Sequence, residues 1–155
     1  MLSQKLTPHQ AFPKIRQYCA YQERCHSEVK NKLYEYGLST GDVDELLTKL
    51  VEENLLNEER FAIQFAGGKF RIKQWGRVKI RYELRQKQVS EYCVKKALAA
   101  LDEDDYRQVL QRLAEQKLQT LKTEKNIFVK KRKLMDHLRA KGYEPDLVND
   151  WLKHV

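Results

Sequence analysis

Apolar residues recur at the same offsets in three places along the chain. Val29, Leu33 and Leu38 precede Val43 and Leu47; Ile80, Leu84 and Val89 precede Val94 and Leu98; Leu134, Leu138 and Tyr143 precede Val148 and Leu152. Each copy holds an apolar pair four apart, a break residue (Gly37, Gln88 or Gly142) and an apolar residue, then two more apolar residues five and nine positions later. The copies begin at 29, 80 and 134, about fifty residues apart, a period that marks stacked supersecondary units. Units that each bury one face build an elongated molecule with a long outer surface. Such a surface suits another polymer better than a small substrate.

The spacing of three and four predicts an all-α chain. The first residues read as frayed, and Phe12 to Gln22 as a first helix. Ser27 is the expected N-cap of the next helix. Gly37 takes the left-handed position after it, and Leu38 folds back in a Schellman ending. Asp42 and Glu45 open a helix that Asn54 ends. Asn57 caps a longer one; its surroundings, Leu56-Asn57-Glu58-Glu59-Arg60-Phe61, are repeated in kind by Leu101-Asp102-Glu103-Asp104-Asp105-Tyr106. Gly67-Gly68 loosens that helix, and Trp75-Gly76 is the break. Each repeat reads as two short helices and then a long one. The expected division is a frayed N-terminus over 1–11, repeats over 12–65 and 66–121, and an incomplete third over 122–155. Phe128, Leu134 and Leu138 are read as one stripe of its first helix. Gln88, where the other copies have glycine, implies a different ending or strain.

Composition narrows the function. With 41% apolar and 34% charged residues, the chain fits thin helical cores, and no apolar run approaches a membrane span. Residues 1–10 are polar, and the expected location is the cytoplasm. Cys19, Cys25 and Cys93 are an odd number without metal-ligand spacing, so they are read as small buried hydrophobes. There is no phosphate loop, dinucleotide fingerprint or metalloprotease motif. Cys25 and His26 are adjacent, hence about 100° apart on a helix and poorly placed as nucleophile and base. The chain is expected to be no enzyme and to hold no cofactor or metal.

The net charge of +8 is uneven. Gly67–Lys96 carries ten Lys or Arg against two Glu, and Lys117–Lys141 nine against two acids; 39–63 carries seven acids against two bases. Two basic zones and an acidic one suggest a polyanion on one surface and a protein on another. In the first basic zone, Lys69, Arg71 and Lys73 precede Trp75, and Arg77, Lys79, Arg81, Arg85 and Lys87 follow it. Arg77, Arg81 and Arg85 share a helix face beside the apolar pair Ile80 and Leu84. Two readings stand. One is a phosphate-contacting ridge with Trp75 stacking on a base or anchoring a protein interface. The other is a solvated basic face with Trp75 in the core. Lys130, Lys131, Arg132 and Lys133 are a weaker signal, because four consecutive bases circle a helix.

Four stretches in order carry a family resemblance: Arg24-Cys25-His26-Ser27-Glu28-Val29 with Leu33; Leu55-Leu56-Asn57-Glu58-Glu59-Arg60-Phe61; Trp75-Gly76-Arg77-Val78-Lys79-Ile80 with Glu83-Leu84-Arg85-Gln86-Lys87; and Leu138-Arg139-Ala140-Lys141-Gly142-Tyr143 with Asp146-Leu147 and Trp151. On a three-fold helical repeat they make the chain resemble the RecX family. The resemblance implies a curved, elongated tandem array of three-helix repeats that binds along the groove of the RecA filament on single-stranded DNA. It implies inhibition of strand exchange, ATP hydrolysis and co-protease activity, hence regulation of DNA repair and the SOS response. It also implies weaker direct binding to single- or double-stranded DNA. We expect a bacterial cytoplasmic monomer, no membrane partner, and replacement of Arg77, Arg81 and Arg85 by Glu to abolish inhibition with the fold intact. The competing readings are a general nucleic-acid-binding protein, a helix-turn-helix repressor and a protein scaffold without DNA dependence.

Overall fold

A computed structural model describes residues 5–155. The described residues form nine helices and no strand: α1 (Pro8–Tyr21), α2 (His26–Glu35), α3 (Thr40–Glu52), α4 (Glu58–Lys73), α5 (Arg77–Gln86), α6 (Glu91–Ala99), α7 (Glu103–Thr120), α8 (Ile127–Ala140) and α9 (Pro145–Leu152). The all-α helical repeat read from the apolar spacing is what the chain forms.

The frayed N-terminus is corrected for the described part; residues 1–4 lie outside it. Thr7 and Gln10 close a reciprocal capping box, with Thr7 Oγ1 accepting from Gln10 N at 3.2 Å and Gln10 Oε1 accepting from Thr7 N at 3.0 Å. Pro8, at the first helical position, loses no bond there. The first helix therefore starts at Pro8 rather than Phe12. The cap of α2 is corrected too. The helix opens at His26, and the Glu28 carboxylate accepts from Cys25 N at 3.2 Å. Ser27 Oγ instead donates to the Lys87 carbonyl at 2.6 Å. Gly67-Gly68 does not loosen α4, which is continuous to Lys73 and ends at Gln74 in the left-handed region.

The division at 65/66 thus cuts through α4, and the one at 121/122 parts α7 from α8, against which α7 packs. In chain order the described helices group in threes as α1–α3, α4–α6 and α7–α9.

The middle helix of each set ends alike. Leu38 N reaches Leu33 O at 3.4 Å, Val89 N reaches Leu84 O at 3.1 Å, and Tyr143 N reaches Leu138 O at 3.2 Å. The residue after the cap is left-handed in all three: Gly37 (φ 87°), Gln88 (φ 63°) and Gly142 (φ 98°). Gln88 thus keeps the ending rather than changing it, and carries the strain a Cβ imposes there. Gln88→Gly should stabilise the protein by about 1 kcal/mol, read as a higher urea midpoint with an unchanged m-value. Asn54 (φ 59°) ends α3 in the same way, as expected.

The cap carbonyl of each such turn accepts a hydrogen bond from a segment much earlier in the chain. Tyr36 O takes Leu6 N (2.8 Å), Lys87 O takes Ser27 Oγ (2.6 Å) and Lys141 O takes Gly76 N (2.8 Å). Val78 N adds a bond to Gly142 O at 2.9 Å. Helix-end carbonyls that α2, α5 and α8 cannot satisfy internally are thus used to join segments.

The chain divides into two compact units. One runs to Phe65 and includes Leu84–Ala97; the other is Ala66–Glu83 with Leu98–Val155. In the first, Ala11, Ile15, Val29, Leu33, Val43, Leu46, Leu50 and Leu56 form one buried cluster between α1, α2 and α3. In the second, α8 packs on α7 and α9, burying Leu134, Leu138 and Val148. Phe70 stacks on Tyr106, which meets Tyr143 at 5.1 Å between ring centres.

Candidate nucleic-acid and partner interface

The first basic zone does not form a free arginine ridge. Arg77 turns inward: its side chain is only 17% exposed, bridging Glu144 Oε2 at 2.8 Å and Glu103. Its guanidinium lies over the Tyr106 ring at 3.8 Å, and its backbone N donates to Tyr106 Oη at 2.9 Å. The Tyr106 hydroxyl donates to Glu144 Oε1, and burial, reinforced by that carboxylate, holds its proton firmly. Burial opposes the charge of Arg77, but hydrogen bonds to the two glutamates outweigh it and raise its pKa. Arg77 is therefore a structural cation, and the expected fold-neutral Arg77→Glu replacement is corrected: it would set a third acid beside Glu103 and Glu144.

The other cations of this zone are engaged to different degrees. Arg85 pairs with Glu91 at 2.7 Å in the open, where such a pair is worth little. The Arg71 guanidinium lies where a Cβ on Gly67 would meet Nη1 at 2.7 Å. Lys69 and Lys79 stand over the half-buried Trp75 ring at 5.1 and 4.8 Å, and Lys87 over Phe65 at 5.8 Å. Trp75 is thus neither a fully buried core residue nor a bare stacking platform. Lys73 is exposed and Arg81 half-buried, and among the described residues neither side chain makes an ion pair.

The second basic zone lies on α8. Lys130 and Lys131 are half-buried on the flanks of the Leu134–Leu138 stripe, and Lys133 approaches Glu124 at 4.0 Å. Arg132 is exposed. Phe128, expected on the apolar stripe, is instead 80% exposed. A six-residue step turns about 240° around a helix, so Phe128 cannot share a face with Leu134.

Cys19, Cys25 and Cys93 are free and buried. The Cys25 thiol donates to Glu28 Oε1 at 3.0 Å, and burial raises its pKa, so it stays protonated at neutral pH. No helix among the described residues is long and apolar enough to cross a membrane.

Three-helix sets joined through their helix-end turns, with basic helices at the surface, define a helical-repeat protein. Sequence models of the second and third three-helix domains of RecX match residues 57–98 and 103–152. The first match begins at Asn57, just before α4, and the second at Glu103, the first residue of α7. The chain is 31% identical over 138 residues to the regulatory protein RecX of Prosthecochloris aestuarii (strain DSM 271 / SK 413), covering 89% of this chain and 88% of that one. It is 32% identical over 133 residues to the regulatory protein RecX of Clostridium perfringens (strain 13 / Type A), and spans 62% of that relative's length. The crystal structure of RecX from Lactobacillus salivarius has the same fold, with a TM-score of 0.87 over 95% of each chain at 20% identity. The chain belongs to the RecX family, whose curated relatives are regulatory proteins.

Proposed function

We propose that this chain is a negative regulator of the RecA recombinase that binds the RecA filament on single-stranded DNA. It inhibits strand exchange, ATP hydrolysis and co-protease activity, and so tunes DNA repair and the SOS response in the bacterial cytoplasm. It acts as a monomer, without catalysis or cofactor. The observation that carries this reading is the ordered match of two RecX three-helix domains on a chain whose cap-carbonyl hydrogen bond recurs in every repeat. A repeated surface can meet successive protomers of a filament. The basic zones supply phosphate contacts that follow the backbone with little sequence choice. In the first of them we assign that role to Lys73 and Arg81, with Lys69, Arg71, Trp75 and Lys79 as neighbours. The acidic 39–63 segment, with Asp44 and Glu45 exposed, is assigned to the protein side of the filament.

The test is RecA ATP hydrolysis on single-stranded DNA, with the chain added to preformed filaments. Suppression well below one chain per RecA protomer is the expected result. Suppression only once the chain saturates bare DNA, followed by anisotropy across salt, would mean plain competition for phosphate. No suppression at any ratio would remove RecA as the partner.

A further inference from the structure

We propose that the outward ridge of α8, formed by Phe128, Arg132 and Arg139, is a contact site for single-stranded nucleic acid, with Phe128 stacking on a base and the two guanidinium groups holding phosphates. This rests on the filament reading above and names the element that touches the strand.

Leu134 and Leu138 fix the buried side of α8, since both are fully covered. At 100° per residue, positions 128, 132 and 139 fall together within about 40° of one another, about 120–160° around the helix from Leu134 and about 80–120° from Leu138. Arg132 and Arg139 are exposed, and among the described residues neither guanidinium has a hydrogen-bond or ion-pair partner. Arg77, Arg85 and Arg107, by contrast, are already paired with glutamates. Arg132 and Arg139 are about 10 Å apart along the helix axis, so each can hold a separate phosphate. Asp136 is the one acid within α8, and it makes no ion pair among the described residues.

Phe128 supplies the second half of the argument. A phenyl ring left 80% exposed gains nothing from the core. Beside free guanidinium groups, in a 25-residue segment with nine bases against two acids, it is a stacking platform in a positive field. The occupant is single-stranded, because a duplex keeps its base faces stacked and closed to the ring. It is bound without sequence choice, because every base has a π face. The same charge disfavours a basic protein surface here.

The experiment measures fluorescein-labelled oligo-dT binding to the full chain by anisotropy, across salt, beside the RecA ATPase assay. Phe128→Ala should weaken dT binding roughly ten-fold, Phe128→Trp should preserve it, and Phe128→Leu should behave like Ala. Arg132→Gln and Arg139→Gln should each lower the slope of log K against log salt by about 0.7. A blunt-ended duplex of equal length should be insensitive to Phe128. All three side chains are exposed, so unchanged circular dichroism and melting are expected for each variant. Wild-type dT affinity in the Ala and Gln variants, or no dT binding by the wild type, would overturn the site. So would loss of ATPase inhibition with dT binding intact, which would make the ridge a protein contact. Failure of the filament reading looks different: the wild type leaves RecA unaffected while the variants still lose dT.

Discussion

Gly142→Ala should lower the melting temperature of the protein by roughly 10 °C. Two costs combine. Gly142 has φ 98°, a backbone conformation that costs a residue with Cβ about 1–2 kcal/mol. The added Cβ would also fall on the Lys79 Cβ and within 2.7 Å of the Lys79 backbone N. Backbone cannot swing aside as a side-chain tip can, and overpacking of this kind costs about 1–3 kcal/mol more. The contact is tight because the turn after α8 is bonded to the start of α5 through Gly76 N and Val78 N. Gly76→Ala should be comparably damaging, since its Cβ would strike the Gly142 carbonyl. Gly68→Ala is the control. A Cβ there meets nothing within 4 Å, and the position is inside α4, so the substitution should stabilise by about 1 kcal/mol. Calorimetry on the three variants decides the matter; a Gly142→Ala protein that melts with the wild type would mean that the α8 turn and the start of α5 do not meet as described.

Arg77→Ala is the second large effect, expected at about 3 kcal/mol of lost stability, because removing one partner of a largely buried ion pair strands the other. Glu144 would be left sharing its carboxylate with the Tyr106 hydroxyl and no cation, and Tyr106 would lose the guanidinium over its ring. Arg85→Ala, which opens only an exposed pair, should change stability little. Urea unfolding of the two variants side by side reads the difference, and equal midpoints would refute the structural role of Arg77. The same network gives a pH dependence. The hydrogen bond from Arg77 holds the Glu103 carboxyl below its ordinary range. Its folded pKa is thus lower than its unfolded one. The contribution is complete above the unfolded value and disappears as pH falls through the folded one. Arg77→Ala should accordingly flatten the acid limb of the stability curve.

The helical repeat and the endings at Gly37 and Gly142 could be read from the sequence, because a left-handed glycine after an apolar pair is a local signal. Gln88 was placed correctly by the repeat alone, though its residue type argued for another ending. What escaped were pairings across distance. Arg77 meets acids 26 and 67 positions away, and helix periodicity says which side an arginine faces but not what waits there. Ser27 looked like a cap because serine commonly is one, yet its hydroxyl serves a carbonyl sixty residues later. Thr7-Pro8-His9-Gln10 carries a readable capping box, a start signal stronger than the first apolar residue, Phe12. At Phe128 residue type and spacing disagree: an aromatic near two leucines suggests core, while a six-residue step from Leu134 turns it off that face.

The interleaving of the two compact units bears on how the chain is made. The first needs Leu84–Ala97 to complete itself, so residues up to Phe65 leave the ribosome before their last packing partners exist. At about 5–20 residues per second the remaining stretch takes a few seconds, during which Cys25 and the start of α2 lack the Lys87 carbonyl that Ser27 will hold. A nascent chain stalled before residue 84 should therefore be cut readily by protease within 1–65, and one stalled well past residue 97 should resist, so synthesis, rather than the first three helices, sets the moment at which this half becomes native.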